Sequence, residues 1–359
     1  MSKVKFGDIV KDVKINVDRD NNPYEFYVAG DHMDSEDLNI RRRGRFATDD
    51  VGPAFTRIFK KGQVLYGSRR TYLKKVAVAD FDGICANTTF VFESKDPAAF
   101  EQRLLPFLML SEGFTNWSIA HSKGSTNPYV LFSDLASYEF DLPSLAEQKV
   151  LAEKLWAAYE VKQSYLKMIA ATEEMVKAQF IEMFDFNELN LNSPSKDFES
   201  MCFDDTSSAT KIPAGDYLHE GKYAIYDQAQ DKNVAGYSDH EEGLCRNYPA
   251  VLFGDHSRVV KYINEPFFIG ADGVKIIRPK EDNLIPEFLY YDLKYHNIPN
   301  TGYNRHFKYI KMISLTKASP EDQSRFLSIA HQSDKSISEL RKSIDAIDKV
   351  IKSLINENL

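Results

Sequence analysis

Residues 144–184, SLAEQKVLAEKLWAAYEVKQSYLKMIAATEEMVKAQFIEMF, decide the fold. They contain no Gly and no Pro, although the chain has 17 Gly and 14 Pro. Ser144 follows Pro143 and is itself followed three residues later by Glu147, which is the capping-box pattern of a helix N-terminus. The stretch therefore predicts one uninterrupted helix, on the order of 60 Å long at ~1.5 Å per residue.

The apolar residues of this helix form one stripe, and a stripe of this length needs a partner. Spacings of three, four and seven place the residues on one face. The stripe consists of Leu151, Leu155, Ala158, Tyr165, Ile169, Val176 and Met183. Because the helix is longer than the core of one small domain, we expect a second long helix to cover the stripe.

The partner helix is predicted at residues 319–359. Ser319 repeats the cap, Pro320 takes the first helical position, and no Gly or Pro follows. Spacings of four and three then alternate over about four heptads, the pattern of a two-helix coiled coil. The seam is Phe326, Ala330, Ser333, Ile337, Leu340, Ile344, Ile347, Ile351 and Leu354. Asp in place of Ile169 or Ile344 should disrupt the pairing, because a buried unpaired charge is costly.

The segments between the helices predict two related domains, residues 1–143 and 185–318. Each combines short strand patterns with Gly and Asp turns. VLYG at 64–67 resembles VLFG at 251–254, and Gly124 and Gly302 each lie in a polar loop before a long helix. The fold class predicted is α+β: two mixed α/β domains separated by two long antiparallel coiled-coil helices, with an internal twofold repeat. A helix kinked at Pro106 is predicted over 97–110.

Composition limits the class of protein. The 13% aromatic content of the 359 residues argues against disorder. No run of ~18 apolar residues predicts a membrane span, and the N-terminus has no signal-peptide core. Cys85, Cys202 and Cys245 are widely spaced. They predict a reducing, cytoplasmic setting and no structural metal site.

Although the net charge of the chain is −8, one stretch of the sequence is strongly basic. Residues 41–75 contain 11 Lys or Arg and two acids, a local charge of 11 − 2 = +9. The basic residues are Arg41, Arg42, Arg43, Arg45, Arg57, Lys60, Lys61, Arg69, Arg70, Lys74 and Lys75. This stretch fits either a solvated charged surface or a phosphate-binding face, since Arg binds phosphates and guanine in a bidentate manner.

Two polar loops are the second candidate for nucleic-acid contacts. They are HSKGSTN at 121–127 and NTGYNRH at 300–306, and their side chains can read base edges or simply connect elements. The second domain is acidic, with 14 Lys or Arg against 20 Asp or Glu over 185–316. Its available cations are Lys232, Arg258, Lys261, Lys275, Arg305 and Lys308.

The sequence contains no recognisable catalytic motif. The eight His residues form no HxxxH or HExxH pair, and no Walker loop, GxGxxG or GxSxG pattern is present. The Gly-rich turn and Asn-Pro-Pro-aromatic motif of adenosylmethionine-dependent methyltransferases are also missing. We therefore expect a protein that binds rather than one that catalyses.

The chain resembles, over its full length, the specificity (S) subunit of type I restriction-modification systems. The resemblance is carried by the twofold repeat of domain and long helix and by LPSLAEQ at 142–148, similar to the family's P-x-x-EQ junction. VLYGSRR at 64–70 and VLFGDHS at 251–257 resemble its target-recognition strand. The second junction, ASPEDQ at 318–323, has Asp322 where the family often has Glu.

The resemblance implies a non-catalytic, sequence-specific DNA-binding subunit. Target recognition domains 1 (1–143) and 2 (185–318) would each read one half of a bipartite double-stranded DNA site. The spacer helices 144–184 and 319–359 would set the distance and dock methyltransferase (M) subunits, with Trp156, Tyr159, Met168 and Phe180 predicted on the outward face. Restriction (R) subunits would join for cleavage, and S-adenosylmethionine, ATP and Mg would belong to these partners.

The DNA contacts are predicted residue by residue. In the first domain they are Arg41, Arg42, Arg43, Arg45, Lys60, Lys61, Arg69, Arg70, Lys74, Lys123, Ser125 and Asn127. In the second they are Lys261, Lys275, Tyr303, Asn304, Arg305 and Lys308. Two alternatives stay open: a coiled-coil scaffold whose domains bind proteins, and a DNA-binding regulator without methylase partners.

Overall fold

The computed structural model describes residues 2–18, 21–184, 197–230, 233–270 and 273–359. Contacts divide the chain into two units. Unit 1 comprises Met1–Leu166 with Arg341–Leu359, and unit 2 comprises Lys167–Leu340. Both long helices are thus divided between the units, so each unit contains a globular part and one end of each helix.

Unit 1 begins with strands and short helices in a mixed order. Its elements are β1 (Ser2–Lys5), α1 (Phe6–Ile9), β2 (Val10–Asp12), β3 (Phe26–Val28), β4 (Gly44–Arg45), β5 (Phe55–Phe59), β6 (Val64–Gly67), β7 (Val76–Val78), β8 (Gly83–Ala86), β9 (Thr89–Ser94), α2 (Leu105–Leu110), α3 (Glu112–Ala120), α4 (Phe132–Ala136) and β10 (Glu139–Leu142), followed by the long helix α5 (Leu145–Phe184). Its strands form sheets β2-β9-β6-β7 and β4-β3-β8-β5 and the pair β1-β10.

Unit 2 repeats this arrangement. Its elements are α6 (Asp197–Met201), β11 (Cys202–Asp204), β12 (Lys211–Ile212), β13 (Tyr223–Tyr226), β14 (Gly236–Ser238), β15 (Ala250–Gly254), β16 (Val260–Ile263), β17 (Phe267–Gly270), β18 (Val274–Pro279), α7 (Pro286–Tyr295), α8 (Phe307–Ile310) and the long helix α9 (Pro320–Asn358). Its sheets are β11-β18-β15-β16 and β12-β17-β13-β14. In each unit the third strand of the first sheet, β6 or β15, carries the VL(Y/F)G segment.

The two long helices have the predicted N-terminal caps. The backbone N–H of Ser144 donates to the Glu147 carboxylate (2.9 Å), and the N–H of Asp322 donates to the Ser319 hydroxyl (3.1 Å). These bonds satisfy N–H groups that a helix leaves without partners. Helix α5 then runs for 40 residues and α9 for 39, as predicted from the absence of Gly and Pro.

The helices pack antiparallel within each unit. In unit 1, Leu151 and Leu155 of α5 share a core with Ile355 of α9, and further along α5 Lys162 pairs with Asp348 (2.6 Å). In unit 2, the rings of Phe180 and Phe326 are 5.1 Å apart. The seam residues of α9 are buried or half-buried throughout. The fold predicted from the sequence is therefore confirmed.

A glutamine joins each long helix to its globular part. Gln148 and Gln323 are 1% and 2% exposed, and each side-chain oxygen accepts a backbone N–H, from Glu101 (2.9 Å) and Ile285 (2.8 Å). Each side-chain NH₂ donates to two carbonyls, those of Ala99 and Pro143 in unit 1 and those of Asn283 and Ala318 in unit 2. The final Gln of both junction motifs therefore has the same structural role.

Two sequence predictions about helices are corrected. The predicted helix over 97–110 is wrong in its first half: α2 starts only at Leu105, and Pro106 lies in its first turn. Pro has no N–H to donate and therefore suits that position. The outward face predicted on α5 is also wrong for three of four residues. Tyr159 and Phe180 are buried and Trp156 packs on Phe107, because these rings cover the adjacent globular parts; Met168 is 51% exposed.

Candidate nucleic-acid interface

In unit 1 the basic stretch and the first polar loop meet. We call residues 68–75 and 121–130 the first loop cluster. The N–H of Arg70 donates to the carbonyl of Pro128 (2.7 Å), and the N–H of Val130 donates to that of Ser68 (2.9 Å). The hydroxyls of Thr71 and Ser122 are 3.1 Å apart. The segment after β6 and the loop after α3 therefore form one continuous surface.

The tip of the first loop cluster presents small polar side chains. Lys123 and Tyr129 exchange two backbone hydrogen bonds of 2.7 and 2.9 Å, so the residues between them project outward. Gly124 has φ +87°, a conformation that glycine adopts without steric cost. Ser125 and Asn127 are both exposed at this tip. Their hydroxyl and amide groups can donate to and accept from base edges.

Most predicted cations of unit 1 already have acidic partners. Ion pairs join Arg41 to Asp37, Arg42 to Asp34, Arg45 to Glu25, Lys60 to Asp82, Lys74 to Glu36 and Lys123 to Asp134. The hydrogen bond from Lys74 holds the pKa of Glu36 below its ordinary value, so that carboxylate stays charged at neutral pH. Where the structure describes unit 1, four of the predicted cations have no ion pair: Arg43, Lys61, Arg69 and Arg70.

Arg41 is exposed, but its guanidinium also bonds to the long helix. Its guanidinium donates to Asp37 (2.6 Å) and to the side-chain oxygen of Gln163 on α5. The Tyr159 hydroxyl donates to the same Asp37 (2.5 Å) and accepts the N–H of Leu38 (2.9 Å). Burial first, and the neighbouring carboxylate second, raise the pKa of Tyr159, so the phenol keeps its proton. Arg41 thus belongs to a network that attaches the 37–41 loop to α5.

Arg69 and Arg70 are exposed cations of the first loop cluster that have no ion pair among the described residues. The Arg69 guanidinium lies 5.8 Å from the centre of the Tyr129 ring. Arg70 has φ +51°, and its side chain is exposed. A positive φ is uncommon for a residue other than glycine, asparagine or aspartate. Arg69 and Arg70 thus lie in the same loop cluster as Ser125 and Asn127, so this surface carries groups suited to phosphate contacts and groups suited to base contacts.

In unit 2 the same two segments meet. We call residues 255–258 and 300–307 the second loop cluster. The N–H of His306 donates to the Asp255 carbonyl (2.8 Å), and the N–H of Phe307 donates to the Asp255 carboxylate (2.7 Å). Asp255 follows β15 as Ser68 follows β6. Both units therefore place the turn after the VL(Y/F)G strand against a polar glycine loop.

The second loop cluster ends in an aromatic platform. Tyr303 is 90% exposed, and its ring lies parallel to that of His256, 4.7 Å away with an interplanar angle of 8°. A ring nitrogen of His256 is 3.2 Å from the carbonyl of Asn304, which fixes the imidazole. Gly302, with φ +78°, makes the turn just before the tyrosine. The His256–Tyr303 stack is the feature of this surface that sequence reasoning missed.

The candidate cations of unit 2 differ in exposure and partners. Arg258 is half-buried, and its guanidinium donates to the carbonyl of Ile298 (3.0 Å). Lys261 is only 6% exposed and donates to the carbonyl of Asn233 (3.1 Å), so its position does not fit the predicted DNA contact. Lys275 is half-buried and paired with Asp204 (2.8 Å). Arg305 and Lys308 are exposed. Neither has an ion pair among the described residues, and Lys232 lies outside them.

The described residues offer neither a metal site nor a membrane span. Within residues 2–18, 21–184, 197–230, 233–270 and 273–359, His, Cys, Asp and Glu form no group that could hold a metal ion. The described helices include none with the length and hydrophobicity of a membrane span.

Comparison with known proteins finds similarity to specificity proteins of type I restriction-modification systems. A family model described as "Type I restriction modification DNA specificity domain" matches residues 4–164. The EcoDI specificity subunit of a type I restriction enzyme, from Escherichia coli, is 28% identical over 133 residues. That alignment covers 37% of this chain and 29% of the relative, so only a minor part of the curated relative is matched.

Two solved structures have a similar fold. One chain, from a study of complex assembly and conformational transition of the type I R-M system, is 19% identical with a TM-score of 0.52. The type I restriction-modification S subunit from M. genitalium is 15% identical, also with a TM-score of 0.52. Both matches cover 100% of this chain, and they cover 98% and 96% of the matched chains. At these identities the likeness establishes the fold.

The family match includes the first junction motif and the strand that carries VLYGSRR, the segments on which the resemblance rests. The structural matches extend the likeness through both units and both long helices. Residues 4–164 are therefore similar to the type I restriction modification DNA specificity domain, and the whole chain shares the fold of the two solved chains.

Proposed function

We propose that this chain is the sequence-specific DNA-binding subunit of a type I restriction-modification complex. The observation that carries the proposal is the repetition of one arrangement: in both units, the turn after the VL(Y/F)G strand meets a polar glycine loop. Two equivalent surfaces on one chain suit a DNA site made of two separate halves. Each unit would read one half.

The two kinds of contact would come from different side chains. Arg43, Lys61, Arg69 and Arg70, the predicted cations of unit 1 without an ion pair among the described residues, would be available to phosphates. Ser125 and Asn127 would read base edges in one half-site, and Asn304 and Arg305 in the other. Phosphate contacts position a protein on DNA, whereas base contacts give specificity. The ion-paired cations would contribute less, since an acidic neighbour already neutralises them.

Helix α5 would dock the methylase through a second stripe. Ala157, Val161, Ser164, Met168, Ala171, Met175 and Ala178 are all exposed and alternate at spacings of four and three. This is a coiled-coil pattern on the side away from the α9 seam. The positions 175 residues later on α9 are more polar: Gln332, Ser336, Glu339, Ser343, Ala346, Val350 and Ser353. We expect the α5 stripe to bind a methylase helix more strongly.

The remaining roles follow from this assignment. The chain itself would be non-catalytic and cytoplasmic, and S-adenosylmethionine, ATP and Mg would be bound by the M and R subunits. The recognition domains would be residues 1–143 and 185–318, with spacer helices at 144–184 and 319–359. The domain bounds, the location and the partners are predictions of the proposal.

A salt titration of DNA binding tests the proposal. The assembled complex with its methylase should bind its DNA site with an affinity that falls steeply as salt rises, because phosphate contacts release counterions. Binding that is absent or independent of salt would favour the protein scaffold. DNA binding without methylase co-purification would favour a stand-alone regulator.

Methylase docking has its own test. Met168→Glu with Met175→Glu should abolish co-purification of the methylase, because two charges would enter an apolar seam. Met175→Glu alone has Val350→Glu on α9 as its matched control, since each adds one charge at equivalent positions. Equal loss in both variants would contradict the preference for α5.

A further inference from the structure

The Tyr303 side chain is much more exposed than the other large hydrophobic side chains of the described residues. At 90% it has the highest exposure among the large hydrophobic side chains in the described part of the chain; the next is Ile15 at 58%. Leaving an aromatic ring in water forfeits the stabilisation that its burial would give. The ring is also held parallel to His256 at 4.7 Å. A side chain that is both ordered and uncovered is suited to a flat apolar ligand.

The loop around Tyr303 is built to keep the ring in place. The N–H of Asn304 donates to the carbonyl of Gly302 (2.8 Å), and the N–H of Gly302 donates to the Asn300 side chain (3.1 Å). On the other side, the buried ring of His306 is 2.9 Å from the carbonyl of Asp255. Because these bonds order the loop that carries Tyr303, less conformational entropy is lost on binding.

The surroundings indicate which ligand the ring takes. Arg305 is two residues away and Lys308 is five, both exposed, and neither has an ion pair among the described residues. An exposed aromatic face beside free cations matches a ligand with flat π-faces and negative charge, which is how proteins bind nucleic-acid bases. Aromatic and apolar side chains can also enter a base step and unstack it.

We propose that Tyr303 inserts at one base step of the half-site that unit 2 reads, unstacking that step next to the bases that Asn304 and Arg305 read, while Lys308 holds a flanking phosphate. This inference rests on the proposed function and adds a role to it. The unit would then recognise how easily that step is deformed, in addition to its base edges. Of the cations predicted to contact DNA in unit 2, Arg305 and Lys308 are the two without an ion pair among the described residues, and stacking would add to the affinity that they supply.

Unit 1 has no such wedge at the equivalent place. Its glycine, Gly124, is followed by Ser125 where unit 2 has Tyr303. The aromatic residues of the first loop cluster, Tyr72 (53% exposed) and Tyr129 (39%), lie elsewhere in the cluster and are less exposed than Tyr303. The distortion is therefore expected in one half-site only. This asymmetry separates the proposal from a general bending of the DNA by the complex.

Base stacking can be followed with 2-aminopurine, whose fluorescence rises when it is unstacked. The assembled complex with its methylase is mixed with duplexes carrying the probe at successive positions of both half-sites. Wild type and Tyr303→Phe should raise the fluorescence at one step of the unit 2 half-site. Tyr303→Ala should lose that rise and bind roughly tenfold more weakly or worse. Phe203→Ala, at another exposed aromatic residue of unit 2, should behave as wild type.

Each outcome has a distinct meaning. A base that the methylase extrudes gives a signal of its own, but that signal should persist in Tyr303→Ala. If the wild-type complex binds and methylates a bipartite site with no Tyr303-dependent rise at any position, the wedge is overturned and the proposed function stands. If the complex does not bind DNA, the proposed function itself fails. If Tyr303→Ala instead loses the methylase on purification, the ring faces a protein and the wedge is overturned.

Discussion

The two units share their attachment to the long helices and differ in the surfaces they present. Gln148 and Gln323 make the same three hydrogen bonds, and both helices begin with a serine cap. The loop clusters, in contrast, carry Ser and Asn in unit 1 and a Tyr–His stack in unit 2. A duplicated chain can therefore keep its scaffold while its recognition surfaces diverge, because the scaffold contacts are internal and the surface contacts are not.

The sheets of the two units likewise share some strand pairings and differ in others. The strands that carry the loop clusters, β6 and β15, have equivalent antiparallel neighbours in their sheets. The outer strands of the second sheets differ: β5 pairs antiparallel with β8, whereas β12 pairs parallel with β17. Divergence is thus tolerated at a sheet edge and in loops, where fewer partners must change together.

The largest effect is expected from a charge in the seam between the helices. Leu155→Asp in unit 1 and Ala330→Asp in unit 2 occupy positions 175 residues apart, and both side chains are fully buried. Each variant should lose several kcal/mol of folding free energy, roughly 3–5, because the carboxylate would have no partner. Thermal unfolding measures this. Ala157→Asp, exposed on α5, is the control, and equal stability in all three variants would contradict the seam.

A pH effect is expected from one buried carboxylate of unit 2. Asp292 of α7 is fully buried and accepts both the N–H and the hydroxyl of Thr316 at 2.9 Å. Burial raises its pKa from 3.8 to about 7. The folded state therefore retains a proton between about pH 4 and 7 that the unfolded state has lost, so the stability of unit 2 should fall as pH rises through this range.

The slope attributable to Asp292 is at most about 1.4 kcal/mol per pH unit. Denaturant unfolding of unit 2 at a series of pH values measures it. Asp292→Asn keeps an acceptor for Thr316 and should flatten the dependence. An unchanged slope in that variant would show that Asp292 is not the titrating group.

The junction glutamines should be equivalent. Gln148→Leu and Gln323→Leu each leave a buried N–H and two carbonyls without their partner, at a cost of about 1–3 kcal/mol. Thermal unfolding should show similar losses for both, with Gln163→Leu, half-buried on α5, as a milder control. Losses that differ strongly between the two would mean that the junctions are not equivalent.

The smallest effect concerns cations within unit 1. Arg70→Glu should reduce the slope of log affinity against log salt by about 1 or more, because Arg70 has no acidic neighbour in the described structure. Arg42→Glu should change it less, because Asp34 already pairs with Arg42. Both should weaken all DNA sequences alike. A larger effect of Arg42 than of Arg70 would reverse our assignment of the phosphate contacts.

Patterns along the chain predicted the helices well because caps and heptads are local. The seam from Phe326 to Leu354 and the caps at Ser144 and Ser319 all appear as predicted. The loop surfaces were harder, because which cations are free depends on acids distant in sequence, as Lys60 on Asp82 or Lys123 on Asp134. The burial of Lys261 and the His256–Tyr303 stack also arise from contacts between distant segments. The similarity of VLYG and VLFG was the signal that could have located both clusters.

The most direct test of the central claim, that each unit reads one half of a bipartite site, is methylation mapping in a host that carries this chain with its cognate methylase. We predict a single motif of two short specified parts separated by unspecified bases. The double variant Asn304→Ala, Arg305→Ala should relax one part, at about 1–3 kcal/mol per lost base contact, and leave the other unchanged. An unchanged motif, or relaxation of both parts together, would contradict the account.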